Sequence, residues 1–173
     1  MNKSMTHTAA KETPSLTDEE KAFQKIIRYL TYCDRTTYEL HCKLANAGFS
    51  EEVIQSSLDR VCHAGFVNDE HLAQRLIEQY FQAGKGKNAA IASLKKKGIP
   101  ENVINQLLLE SSYEEEDESA RALTYLYRHP PRGKNLHDSA FRKLISKGYS
   151  VSAASSAASS YCSKQITDNN SEF

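Results

Sequence analysis

The sequence predicts an all-α fold: three tandem three-helix repeats in an elongated, curved arrangement. Three observations lead there. Gly48, Gly98 and Gly148 lie at a constant spacing of 50 residues, and each closes the same phrase, Leu-x-x-x-Gly followed by Phe49, Ile99 or Tyr149. A fixed period repeated in tandem marks one supersecondary unit copied along the chain. The main apolar clusters recur at i, i+3 and i+4, and sustained apolar–polar alternation is absent. Each phrase also holds the means to end one helix and open another. The glycine takes the left-handed conformation at no Cβ cost, and the apolar residue after it folds back on the last turn. Ser50, Pro100 or Ser150 then starts the next helix.

Residues 1–16 are polar and aperiodic, and are expected to be a disordered tail. Repeat 1, residues 17–65, opens with Thr17 and Glu20 in capping-box positions. Phe23, Ile26, Ile27 and Leu30 give its first helix one apolar face. A second box, Thr36 with Glu39, opens a helix that stops before Gly48. Ser50 opens the third helix, with Val53, Ile54, Leu58 and Val61 inward and Gly65 at its end.

Repeat 2, residues 66–112, starts at Asn68. Leu72, Leu76, Ile77 and Tyr80 line its first helix, and the Gly84-Lys85-Gly86 break ends it. Ile91 and Leu94 mark the second helix; Val103, Ile104, Leu107 and Leu108 mark the third. Repeat 3, residues 113–163, follows the acidic run at 114–118, which is expected to be a solvated linker. Ala122, Leu123, Leu126 and Tyr127 line its first helix, and Pro130 and Pro131 stop it. Phe141, Leu144 and Ile145 face inward from the second.

The third helix of repeat 3 is thin. Ala153, Ala154 and Ala158 stand where the earlier repeats carry Val, Ile and Leu. That removes about eight methyl or methylene groups, roughly 6 kcal/mol of transfer energy. Val151 and Tyr161 are expected to recover part of it. Residues 164–173 are expected to fray. A unit of this size has a small core, so neighbouring repeats should support one another.

The composition, 39% hydrophobic and 25% charged with no tryptophan, suits a soluble protein. No apolar run approaches the roughly 18–20 residues of a membrane span, and the first residues lack a secretory h-region. The four cysteines have no CxxC spacing and are expected to be reduced thiols in a cytoplasmic protein. The formal net charge of zero conceals blocks. Residues 85–97 carry five lysines and no acid; residues 98–120 carry seven acids and no base; residues 121–147 carry seven bases and one acid.

His41-Cys42 and Cys62-His63 place adjacent ligands about 100° apart on a helix and do not form a metal claw. Asp69 and Glu70 are explained by the helix dipole. Gly84-Lys-Gly86-Lys lacks the complete phosphate-loop pattern and a preceding strand. No catalytic constellation can be argued, so neither enzymatic activity nor a cofactor or metal is expected. The functional candidates are basic: Lys85, Lys87, Lys95 and Lys96 in repeat 2, and Arg121, Arg128, Arg132, Lys134, Arg142 and Lys143 in repeat 3. Such a chain of cations can follow a phosphate backbone or the acidic rim of a protein groove. On residues alone, a direct nucleic-acid-binding module and a helical protein adaptor both remain open.

Several phrases together resemble the RecX family. Gly65-Phe-Val-Asn-Asp-Glu-His-Leu-Ala-Gln-Arg-Leu-Ile77, Gly84-Lys-Gly86 and residues 94–99 resemble its central repeat. Thr36-Thr-Tyr-Glu-Leu-His-Cys-Lys-Leu44 resembles its first. Lys85 and Lys87 depart from the family's Gly-Tyr-Gly-Pro, and Gln79, Tyr80 and Phe81 stand where arginines are common. The elongated repeat fold is expected to be a monomer, and the resemblance implies a regulator of the RecA recombinase. Such a protein binds RecA or its filament on DNA, limits filament growth, ATP hydrolysis and strand exchange, and has some affinity for DNA.

Overall fold

The structure, a computed structural model, describes residues 16–110 and 115–170, with side chains described over 16–110 and 118–165. The described residues form nine α-helices and no strand. In order these are α1 (Asp18–Tyr32), α2 (Thr37–Ala45), α3 (Glu51–His63), α4 (Asp69–Gln82), α5 (Lys87–Lys96), α6 (Glu101–Glu110), α7 (Glu115–Arg128), α8 (Leu136–Ser146) and α9 (Val151–Asn170). The expected tail at 1–16 lies almost wholly outside the described residues.

Local chemistry sets the helix ends. Thr36 Oγ1 accepts from the Glu39 amide, and the Glu39 carboxylate accepts from the Thr36 amide, both at 3.1 Å. This is the complete reciprocal cap expected there. At Thr17 only the first half forms: its Oγ1 accepts from the Glu20 amide at 3.3 Å. Each repeated corner closes as the sequence requires. Gly48, Gly98 and Gly148 take φ of 87°, 79° and 84°. The amides of Phe49, Ile99 and Tyr149 reach back to the carbonyls of Leu44, Leu94 and Leu144 at 3.1–3.3 Å.

Three separate cores result. Ile26, Leu40, Leu44, Ile54 and Val61 centre the first; Ile77, Leu94, Ile104 and Leu108 the second; Leu126, Leu144, Tyr149 and Tyr161 the third. Extensive helix packing stays within the triplets α1–α3, α4–α6 and α7–α9. Among the described residues, hydrogen bonds join the first triplet to the second and the second to the third, but none joins the first to the third. That pattern defines a linear array.

The third triplet ends in a longer helix than the second. Helix α9 spans 20 residues against 10 in α6, and runs past the end expected at Ser163. Ala153, Ala154, Ala157 and Ala158 are buried against α7 and α8. Tyr161 is buried as expected, but Val151 is 67% exposed and recovers nothing.

The junctions between triplets correct two expectations. The run at 114–118 is not a solvated linker throughout: helix α7 begins at Glu115, and Glu118 is 1% exposed. Its carboxylate accepts from the Lys87 amide at 3.2 Å, the Ser150 amide at 3.2 Å and the Ser150 hydroxyl at 2.7 Å. Asp69 likewise does more than favour a helix dipole. It accepts from the Thr37 amide at 2.9 Å and the Thr37 hydroxyl at 2.5 Å. Both acids stand four residues before a buried alanine, Ala73 or Ala122. Each therefore caps the second helix of the preceding repeat from the same place in its own.

The carbonyls of the repeated corner complete both junctions. Lys97 O accepts from Thr36 Oγ1 at 2.7 Å. Lys147 O accepts from the Gly86 amide at 3.0 Å, and Gly148 O from the Asn88 amide at 2.9 Å. Around Glu39, burial alone would push the carboxyl up. The Lys97 Nζ hydrogen bond at 2.9 Å, the Thr36 amide and the charges of Lys97 and Arg35 outweigh it and hold the carboxyl below its ordinary value. Arg75 pairs with Asp34 across the same junction.

Candidate functional site

The junction of repeats 2 and 3 opens into adjoining clefts because two backbones meet there with little side chain between them. A Cβ on Gly86 would overlap Gly148 O and the Tyr149 backbone, and one on Gly148 would overlap Ala89. The first cleft, about 570 Å³, lies between the end of α4 and the middle of α7 and is lined by Phe81, Gly84, Arg121, Tyr125, Arg128, His129 and Tyr149 among others. The second, about 460 Å³, shares Arg128 and His129 and adds Pro130, Arg132 and Lys143. The third, about 490 Å³, holds Lys85, Lys96 and Lys147 around Tyr80 and Ser93. Lys147 Nζ stands 5.8 Å from the Tyr125 ring, which links the third cleft to the first.

Cations and rings alternate along these walls. Lys85 Nζ lies 4.4 Å from the Tyr80 ring centroid, and the Arg121 guanidinium 5.1 Å from that of Phe81. The Tyr125 and His129 rings are 4.7 Å apart, and Tyr125 and Tyr149 are 6.3 Å apart. Such walls attract anionic or π-faced groups. The Tyr149 hydroxyl donates to Gly84 O at 3.0 Å. Burial pushes its pKa up to about 12; the Arg121 charge opposes this, while Glu118 and Tyr125 reinforce it.

The ten basic candidates divide by place. Lys85, Lys96, Arg121, Arg128, Arg132 and Lys143 line the clefts. Lys143 is also a structural bolt, since its Nζ donates to His129 O at 2.7 Å and Pro130 O at 3.2 Å. Lys87 contributes its backbone to the Glu118 clasp. Lys95 pairs with Glu101 at 2.9 Å across the corner of repeat 2. Lys134 and Arg142 are exposed outside the clefts. Sequence reasoning missed Lys147, His129, Tyr125 and Tyr149 as wall residues. Lys147 carried a signal, because it abuts the repeated glycine whose corner forms the seam. No cluster of metal-ligating side chains occurs among the described residues, and no described helix is long and apolar enough to cross a membrane.

The array defines a tandem three-helix-repeat protein, with basic clefts at the junction of repeats 2 and 3. Comparison with known proteins refines that class. Residues 22–60 match the first three-helix domain of RecX, and residues 68–108 the second. A "Regulatory protein RecX" of Mycobacterium sp. (strain JLS) is 40% identical over 91 residues, covering 52% of this chain and 50% of that protein. The same-named protein of Lactobacillus johnsonii is 28% identical over 135 residues, covering 76% of this chain and 50% of its own length. The chain thus spans about half the length of these curated relatives. The crystal structure of RecX from Lactobacillus salivarius superposes with a TM-score of 0.71 over 83% of this chain and 96% of that one, at 21% identity. The chain belongs to the RecX family.

Proposed function

We propose that this protein regulates the RecA recombinase by binding it, or its filament on DNA, without catalysing a reaction of its own. Occupying the filament limits its growth, its ATP hydrolysis and strand exchange. The arrangement of the clefts carries the reading: cations from repeats 2 and 3 converge on one seam, as a surface that follows an acidic or phosphate-bearing groove requires. The two matched RecX domains and the regulatory proteins of that name support the reading, since resemblance to that family implies RecA as the partner. The test is a RecA ATPase and strand-exchange assay on single-stranded DNA. Suppression of both supports the proposal; no effect at several-fold excess over RecA sinks it.

A second reading is direct binding of single-stranded nucleic acid, favoured by the rings of Tyr80, Tyr125 and His129 set among the cations. It predicts equal affinity for bare strands and RecA-coated strands, with a steep salt dependence.

A further inference from the structure

The two junctions between repeats are built from corresponding residues. Thr36 Oγ1 and the Gly86 amide each donate to a corner carbonyl, that of Lys97 or of Lys147. The Thr37 and Lys87 amides each donate to the clasping acid, Asp69 or Glu118. At the first junction the corner lysine is neutralised from within. Glu39, the third residue of α2, accepts from Lys97 Nζ at 2.9 Å, and the charge of Arg35 acts on the same carboxylate. At the second junction the cations remain and the acid is gone. Lys147 stands for Lys97 and Lys85 for Arg35, but the third residue of α5 is Ala89.

Space takes the place of the carboxylate. Ala89, Lys85, Lys147 and Ser93 all line the third cleft of about 490 Å³. A further cation, Lys96, lines it where repeat 1 carries Asn46. Among the described residues no acid lines this cleft, and none of its three lysines belongs to an ion pair. Like charges around one cavity repel each other, and an anion set among them is attracted by all three.

We propose that the third cleft is a phosphate site: a phosphate group of a nucleotide or of a nucleic-acid strand sits where the Glu39 carboxylate sits at the first junction. Charge selects this class of ligand. One carboxylate serves two cations at the first junction, whereas three cations surround the cleft. A phosphate monoester carries about −1.5 to −2 charges at pH 7, and the cavity has room for more than one such group. The site deepens the reading of the seam as an anion-binding surface and rests on that reading, but not on RecA.

Calorimetric titration of the full chain with inorganic triphosphate, up to about 1 mM where even weak binding registers, tests this without RecA. The expected result is saturable binding of one equivalent that weakens as salt rises. Ala89→Glu supplies the carboxylate that Glu39 supplies at the first junction, and should weaken binding about tenfold or more, the effect of losing a charge-assisted contact. An acid in the first turn suits the helix dipole, and circular dichroism confirms that the variant is folded. The double variant Lys96→Gln, Lys147→Gln alters two exposed side chains and should weaken binding at least as much. ATP that binds as tightly as triphosphate upholds the site and marks a free nucleotide as its source. A single-stranded oligonucleotide that binds more tightly and displaces triphosphate upholds it and marks the strand. No saturable binding of triphosphate, or binding unchanged in either folded variant, overturns the proposal. Tighter binding of an oligoglutamate of equal charge also overturns it, by giving the cleft to an acidic protein. A chain that suppresses RecA but binds no triphosphate overturns this site alone.

Discussion

At Gly86 the backbone of repeat 2 meets that of repeat 3 with no room for a side chain. The overlap from an added Cβ would fall on main-chain atoms of Gly148 and Tyr149, which cannot rotate away. Gly86→Ala is therefore expected to destabilise the protein by about 1–3 kcal/mol, the usual cost of overpacking. Chemical unfolding measures it, and an unchanged midpoint would show that the seam yields. Tyr149 gives a test by pH. Its pKa, raised to about 12 from an ordinary 10, means that folding favours the neutral phenol. The stability this contributes is complete below pH 10 and is lost as pH rises toward 12. Tyr149→Phe should cost about 0.5–1.5 kcal/mol near neutrality through its lost hydrogen bond, and should flatten the alkaline decline. A decline as steep in the variant as in the wild type would assign it to other groups.

Among the elements, α9 replaces bulk with close contact. Ala157 is 2% exposed between α7 and α8, while its neighbour Ser156 faces solvent. Ala157→Leu is expected to cost about 1–3 kcal/mol by forcing helices apart, and Ser156→Leu within about 0.5 kcal/mol. Thermal unfolding of the pair checks this; equal effects would mean that α9 is loosely packed. The same helix shows where sequence reasoning reaches and where it stops. The corners at Gly48, Gly98 and Gly148 were legible because each carries its whole mechanism within six neighbouring residues. Most of the inward faces were legible from their helical spacing. The length of α9 was not, because its serines and polar tail give no apolar period. Nor was the role of Glu118. A carboxylate in an acidic run reads as solvated until Lys87 and Ser150, both more than 30 residues away, are placed against it. The clefts were half legible: the charge blocks marked the cations, but rings such as Tyr125 and Tyr149 reach the seam only through packing between repeats.

For the whole molecule, the account holds that RecA is engaged through the seam of repeats 2 and 3. The cations that test this are those free of structural duty. Lys143 is excluded, since it holds the loop after α7. Of the others, Lys85, Arg128, Arg132 and Lys147 span all three clefts. The most direct measurement is the affinity of the wild type and of the fourfold variant Lys85→Glu, Arg128→Glu, Arg132→Glu, Lys147→Glu for RecA filaments on single-stranded DNA. Bare single-stranded DNA serves as reference, and circular dichroism confirms the fold. The account predicts tighter binding to the filament than to bare DNA, and at least a tenfold loss on charge reversal, about 1.4 kcal/mol, that shrinks as salt rises. A folded fourfold variant that binds the filament as the wild type does would contradict it.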